Sequence, residues 1–246
     1  MKDERLKYIK IAKDLNEKFK AELAKKQLHF RGNRGSFSLI SLDRKTPEQG
    51  KSGFTDEKLF NMNKDQMDIY WAEIDEILTS KREKRERGES RPTREKELQA
   101  WIINYAINND NNLPFSSGIK FLTSELAFQT SKKIVNDILA IDQEGSLVVV
   151  ELKSARHKQE LKNQVDDFCG VITDEEEFFK ELVELLAQER EWNGEIRRMI
   201  VWPDANGKPR NDWASAGIEE VRYKEKKGKD GLQEIDYDEN SNIVFL

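Results

Sequence analysis

The chain has 246 residues, with 42 Lys and Arg against 47 Asp and Glu and a formal net charge of −5 at pH 7, enough length to bury one large core or two small ones. That balance, with a pI near 5.4, excludes a protein that coats nucleic acid without regard to sequence, while leaving room for local basic surfaces. The single cysteine, Cys169, excludes an internal disulfide framework, no run approaches membrane-spanning length, and Met1 to Arg5 lack the apolar core of a signal peptide, so a cytoplasmic protein is expected.

Tyr8, Ala12, Leu15, Phe19 and Leu23 recur at helical spacing and predict a helix from the first residue to about residue 27. Gly32-Asn33-Arg34-Gly35 has glycines but no Lys-Ser/Thr ending, so it reads as a turn rather than a phosphate loop. Phe37 to Leu42 reads as a short strand, followed by a Pro/Gly-containing loop over 44–53. Met67, Tyr70, Trp71, Ile74, Ile77 and Leu78 mark a second helix, from Met62 to about Arg85. The charged, Gly/Ser/Pro-punctuated stretch 81–92 is the best boundary, giving a mainly helical accessory region over 1–90 and a second domain over 91–246. Lys81 to Arg87, continuing through Arg91, Arg94 and Lys96, is locally basic, with a solvated helix face as the plainer reading.

The second domain opens on an amphipathic helix, Glu95 to Tyr105, with Leu98, Trp101, Ile102 and Tyr105 on one stripe and Pro92-Thr93 as its start signal. Ile119 to Gln129 is a strand candidate carrying Glu125, a weaker extra acid that is assigned no role. Ile134 to Ile141 and Leu147 to Leu152 are apolar runs of strand length, joined through Asp142 to Gly145 as a hairpin. Past Ser154 to His157 comes a helix with Leu161, Val165 and Phe168 on its buried stripe. An acidic helix from Glu175 to about Glu191, a strand Arg198 to Trp202, a Pro/Gly loop over 203–211 and a strand around Ile218 to Lys224 complete the reading.

Asp137, Glu151 and Lys153 stand out because interior strands do not normally accept them. An unpaired buried charge costs several kcal/mol, so these three are expected to be paired, to ligate a metal or to sit where the sheet reaches solvent. Alternation puts Glu151 and Lys153 on one face of their strand, and a hairpin brings Asp137 against it. Two converging carboxylates make an oxygen-rich site suited to Mg2+ or Mn2+. There a metal polarises a phosphate and acidifies a water that Lys153 can orient. The alternative is a plain ion pair between Lys153 and one acid at a strand end. Zinc is not expected, because His29, His157 and Cys169 form no zinc spacing. Cys169 itself reads as a small core residue rather than a nucleophile.

The run from Asn136-Asp137 to Glu151-Leu152-Lys153 resembles the PD-(D/E)XK nuclease superfamily, in particular the branch of NucS-like endonucleases and Holliday junction resolvases. Position 136 is Asn where the superfamily name has Pro and the NucS-like branch has Arg-Ile-Asp. The resemblance is close from Asp137 to Lys153 and looser from 93 to 203. It implies an α/β restriction-endonuclease-like fold, a mixed central sheet flanked by helices with an N-terminal helical extension, and divalent-metal-dependent hydrolysis of nucleic acid. It also implies Glu95, on the first helix of the core, as an acid reaching the metal site, with first-turn decoration as the alternative. Gln164 is implied near the metal water or phosphate, the alternative being a half-buried helix glutamine.

A DNA endonuclease is therefore expected, with Asp137, Glu151 and the Leu152 carbonyl as metal ligands. The basic segments around Arg91 and Arg94 and around Arg156, His157, Lys158 and Lys162 would track the phosphate backbone. The competing class is a non-catalytic nucleic-acid-binding or assembly module that retains the fold. The apolar stripes of the N-terminal helices call for a covering surface, whether the core, a second copy of the chain or a partner protein.

Overall fold

A computed structural model describes residues 4–43, 62–88, 93–153, 159–187, 189–204, 211–223, 225–227 and 233–235. The chain divides into two compact units, Met1–Asn104 and Tyr105–Leu246. No helix among the described residues is long and apolar enough to cross a membrane.

In the first unit a short 3-10 turn leads into α1 (Lys7–Lys18) and α2 (Lys20–Lys26). The predicted single helix is interrupted at Phe19, whose φ of −109° and ψ of 24° leave helical space. Phe19 N–H still reaches the Leu15 carbonyl at 3.0 Å, and its ring meets Trp71 edge-on with centroids 5.9 Å apart. Strand β1 (Leu28–Gly32), absent from the sequence-based expectation, pairs antiparallel with β2 (Phe37–Ser41) across the predicted turn. Only Leu28 and Phe30 alternate inward with His29 and Arg31 before Gly32, too short a run to show period two. Asn16 of α1 pins this strand: its Oδ1 accepts from Phe30 N–H at 2.8 Å, and its Nδ2 donates to the Phe30 carbonyl at 2.7 Å. One side chain thus satisfies both backbone groups of a strand residue. Helix α3 (Lys64–Glu86) opens on a reciprocal cap in which Asn63 Oδ1 takes Gln66 N–H at 2.9 Å and Gln66 Oε1 takes Asn63 N–H at 3.0 Å. Its Met67, Tyr70, Trp71, Ile74 and Leu78 close a core with Leu15, Phe19, Phe30, Phe37 and Leu39, while Ile77 is half-buried.

Two consequences of this packing can be measured. A Cβ at Gly32 would fall on the Ile9 backbone of α1, so Gly32→Ala is expected to cost about 1–3 kcal/mol in denaturant unfolding, where an unchanged midpoint would refute the close approach. His29 is pushed down to about 3 by burial and, less strongly, by Arg31, and the residue as a whole is half-buried. Its folded value lies below the ordinary 6.5, so the unfolded chain binds the proton that the folded one refuses. Acidification from 6.5 towards 3 should therefore erode stability, and His29→Gln should remove that share of the loss while changing nothing above pH 7.

Helix α4 (Arg94–Asn108) starts at Thr93, as the sequence predicts, with Glu97 N–H on the Thr93 carbonyl at 3.2 Å, and the chain passes from the first unit to the second within it. The second unit is built on a mixed six-stranded sheet in the order β3-β4-β5-β6-β7-β8. Strands β3 (Asn112–Leu113), β4 (Ser116–Gln129), β5 (Lys133–Ile141) and β6 (Leu147–Leu152) run antiparallel in succession. Beyond them, β7 (Ile196–Pro203) and β8 (Ile218–Tyr223) continue parallel to β6. Parallel pairing needs a crossover, which α5 (Gln159–Asp174) and α6 (Glu176–Ala187) supply between β6 and β7, and α7 (Asn211–Ser215) between β7 and β8. A short antiparallel pair, β9 (Glu225–Lys227) and β10 (Gln233–Ile235), follows.

The fold is thus mixed α/β, with helices packed on a mixed sheet. Phe128 of β4 lies against Phe168 of α5 and Phe178 and Phe179 of α6, with ring centroids 5.6–6.0 Å apart. At the β5–β6 turn, Asp142 Oδ1 accepts Ser146 N–H at 2.7 Å, and Arg197 holds Asp142 and Glu219 at 2.7 Å each. This closed end fixes the β5–β6 register and leaves the other end of the pair to open.

Candidate active site

The pairing of β5 with β6 ends at Ile138 opposite Val150. Beyond that point β5 continues along β4 only, with Asn136 opposite Leu126 and Lys133 opposite Gln129. The two strands fork, and side chains replace the missing ladder. Asp137 Oδ2 accepts the Leu152 N–H at 2.8 Å, and Asn136 Nδ2 donates to the Val150 carbonyl at 3.3 Å. Asn136 is only 1% exposed and its Oδ1 has no hydrogen-bond partner.

Because Ile138 faces Val150, alternation places Asp137 and Glu151 on one face, as the sequence predicts. Glu151 is 5% exposed and accepts from Lys153 Nζ at 2.8 Å. Burial first, then the Glu151 charge, lifts Asp137 from the usual carboxylate range to about 7, against the pull of the Leu152 N–H and of Lys153. The fork therefore brings together Asp137, Glu151 and Lys153, with the Asp137 carboxyl pushed upward by burial and by its neighbour's charge.

A third acid bears on the same point. Glu125 lies between Ser124 and Leu126, which pair with Ile138 and Asn136, so it stands opposite Asp137. It is half-buried, adds to the upward push on Asp137, and has φ of 55° in the left-handed region. Such a backbone costs on the order of 1–3 kcal/mol for a residue with a side chain. Glu125 has no role in what the sequence alone predicts. An acid inside an apolar run was the available signal, but neither the register nor the backbone twist that aligns it with Asp137 is written in local composition.

The other candidates lie on helices or outside the described residues. Glu95 is half-buried in the first turn of α4, and Arg94 beside it is exposed. Gln164 is exposed on α5. Lys162, also exposed, pairs with Asp166 at 3.3 Å one turn along the helix. Arg91, Arg156, His157 and Lys158 lie outside the described residues. Cys169 is half-buried on α5, where burial pushes its thiol up to about 11, away from the thiolate a nucleophile needs.

Among the described residues, no group of three or more His, Cys, Asp and Glu side chains is arranged to hold a metal ion. Asp137 and Glu151 nevertheless fit a hard divalent cation. Both are oxygen donors, and their mutual repulsion, reinforced by Glu125, leaves negative charge that a cation would relieve.

No protein-family model and no curated protein matches the chain. Among solved structures, the chain is similar to EndoMS in its complex with double-stranded DNA, at 23% identity and a TM-score of 0.29 over 44% of this chain and 38% of that one. It is also similar to SfsA of Pyrococcus furiosus in complex with Ca2+, at 18% identity and a TM-score of 0.27 over 60% and 61%. In both cases the chain spans well under the full length of the other protein, and likenesses of this extent decide neither its activity nor its ligand.

Proposed function

We propose that this protein is a divalent-metal-dependent endonuclease that hydrolyses phosphodiester bonds in DNA, with Asp137 and Glu151 as the carboxylate ligands of Mg2+ or Mn2+. The observation that carries this reading is the fork itself: two mutually repelling, mostly enclosed carboxylates with a lysine 2.8 Å from one of them. A bound cation would supply Lewis-acid polarisation of the phosphate and a more acidic water.

The chain's own residues do the rest. The Leu152 N–H anchors Asp137 through Oδ2 and so keeps it turned towards β6. Lys153, whose Nζ lies 2.8 Å from Glu151 Oε1, would orient the attacking water and meet the charge that develops on the phosphate. The Leu152 carbonyl is a further proposed ligand, Glu95 a further acid and Gln164 a further polar contact. Arg94 and Lys162, both exposed, together with Arg91, Arg156, His157 and Lys158, would take phosphates along the strand.

A second reading, a non-catalytic nucleic-acid-binding or assembly module, draws on the same ion pair, because Lys153 already compensates Glu151 without a metal. The two are separated by incubating the purified protein with plasmid and single-stranded DNA in Mg2+, in Mn2+ and in chelator. Metal-dependent nicking or cleavage supports the first, and intact DNA and RNA under every condition leave the second.

A further inference from the structure

We propose that Tyr223 is a positioning residue for Lys153, an inference that rests on the catalytic reading above. Lys153 stands immediately after the last residue of β6, where a chain ordinarily frays. Here its main chain is held on both sides. Its N–H donates to the Val201 carbonyl of β7 at 2.9 Å, and its carbonyl accepts from Tyr223 Oη at 3.0 Å.

The second bond is unusual in its origin, because Tyr223 belongs to β8 and reaches past β7 to the end of β6. Tyr223 is itself immobilised: it is 1% exposed, pairs with Pro203 in the sheet, and its carbonyl accepts the Asp204 N–H at 2.7 Å. A buried hydroxyl on a fixed ring thus sets the backbone of Lys153, and with it the direction in which a long, rotamer-rich side chain leaves the strand. The result is that Nζ lies on Glu151 Oε1 instead of sweeping through solvent. Nothing in the local sequence marks Tyr223 for this task, since it lies 70 positions from Lys153.

Removing the hydroxyl should release Lys153 without emptying the core, because Tyr223→Phe keeps the ring. Cleavage of single-stranded DNA in Mn2+ is expected to fall in kcat by roughly ten- to a hundredfold, the scale of a catalytic group displaced by about an ångström. KM should stay unchanged, since a loosened lysine binds substrate in the ground state as before. In the same variant Lys153 should be labelled severalfold faster by reductive methylation, read residue by residue by mass spectrometry.

Trp192→Phe, which removes an indole hydrogen bond to the Glu195 carbonyl at 2.8 Å, is the control for loss of one bond elsewhere and should leave both readouts unchanged. Parental kcat with unchanged Lys153 labelling in Tyr223→Phe overturns the inference, as does an equal fall in the control. If the parent protein cuts no nucleic acid, the catalytic reading fails by itself. Labelling then still decides the tether: faster methylation of Lys153 in Tyr223→Phe upholds it, and an unchanged rate sinks it.

Discussion

Glu151→Ala is expected to abolish metal-dependent cleavage, with a loss on the order of a thousandfold or more, while the protein still folds. Glu151 is the most enclosed charge at the fork and carries two duties, as a proposed cation ligand and as the partner of Lys153 Nζ at 2.8 Å. Its removal takes away half of the carboxylate pair and leaves Lys153 without that contact. Lys153→Ala tests the other half of the arrangement. It should keep cation binding, because both carboxylates remain, yet lose cleavage on the order of a hundredfold. Calorimetric titration with Mn2+ beside the cleavage assay separates the two effects. A Glu151→Ala protein that binds Mn2+ as tightly as the parent and cuts at the parental rate would end the metal assignment.

The second large effect concerns stability in chelator. Burial and the Glu151 charge push the Asp137 carboxyl up from the usual 3.8 to about 7 in the folded chain, so the folded state binds the proton more tightly than the unfolded one. Its contribution is complete below 3.8, declines as the pH rises towards 7, and is gone above that. Because burial and the Glu151 charge cause the rise, the penalty at pH 8 is on the order of a few kcal/mol. Asp137→Asn keeps an oxygen to accept the Leu152 N–H but carries no charge. It should therefore unfold at a higher temperature than the parent at pH 8, and the gap should close towards pH 4. Added Mn2+ should reverse the order at pH 8, because the parent gains a ligand that the variant has lost. Identical melting curves across this range would show that Asp137 is not strained by its neighbour. His29, whose effect runs the opposite way on acidification, cancels in the comparison because both proteins carry it.

Much of the frame was legible from periodicity. Leu147 to Leu152 is a strand because the apolar, Val-rich run Leu147 to Val150 leads into Glu151-Leu152-Lys153, and its neighbour spans Lys133 to Ile141 with the predicted turn between them. The stripes on α3 and α5 were visible for the same reason, since an apolar residue every third or fourth position has one helical solution. What failed was either short or non-local. Strand β1 offers only Leu28 and Phe30 as a signal and owes its place to Asn16 of α1. The break at Phe19 sits where its ring meets Trp71, a partner contributed by a later helix.

The candidate site divides along the same line. Residue type and strand alternation by themselves put Glu151 and Lys153 on one face of their strand, because period two is a local property of an extended chain. Only the tertiary structure decided that β5 leaves β6 after Ile138, that Glu125 comes to stand opposite Asp137 on a left-handed backbone, and that Tyr223 holds Lys153 from two strands away. Those arrangements arise from pairing between distant segments, where register and long-range hydrogen bonds set geometry that no local pattern encodes.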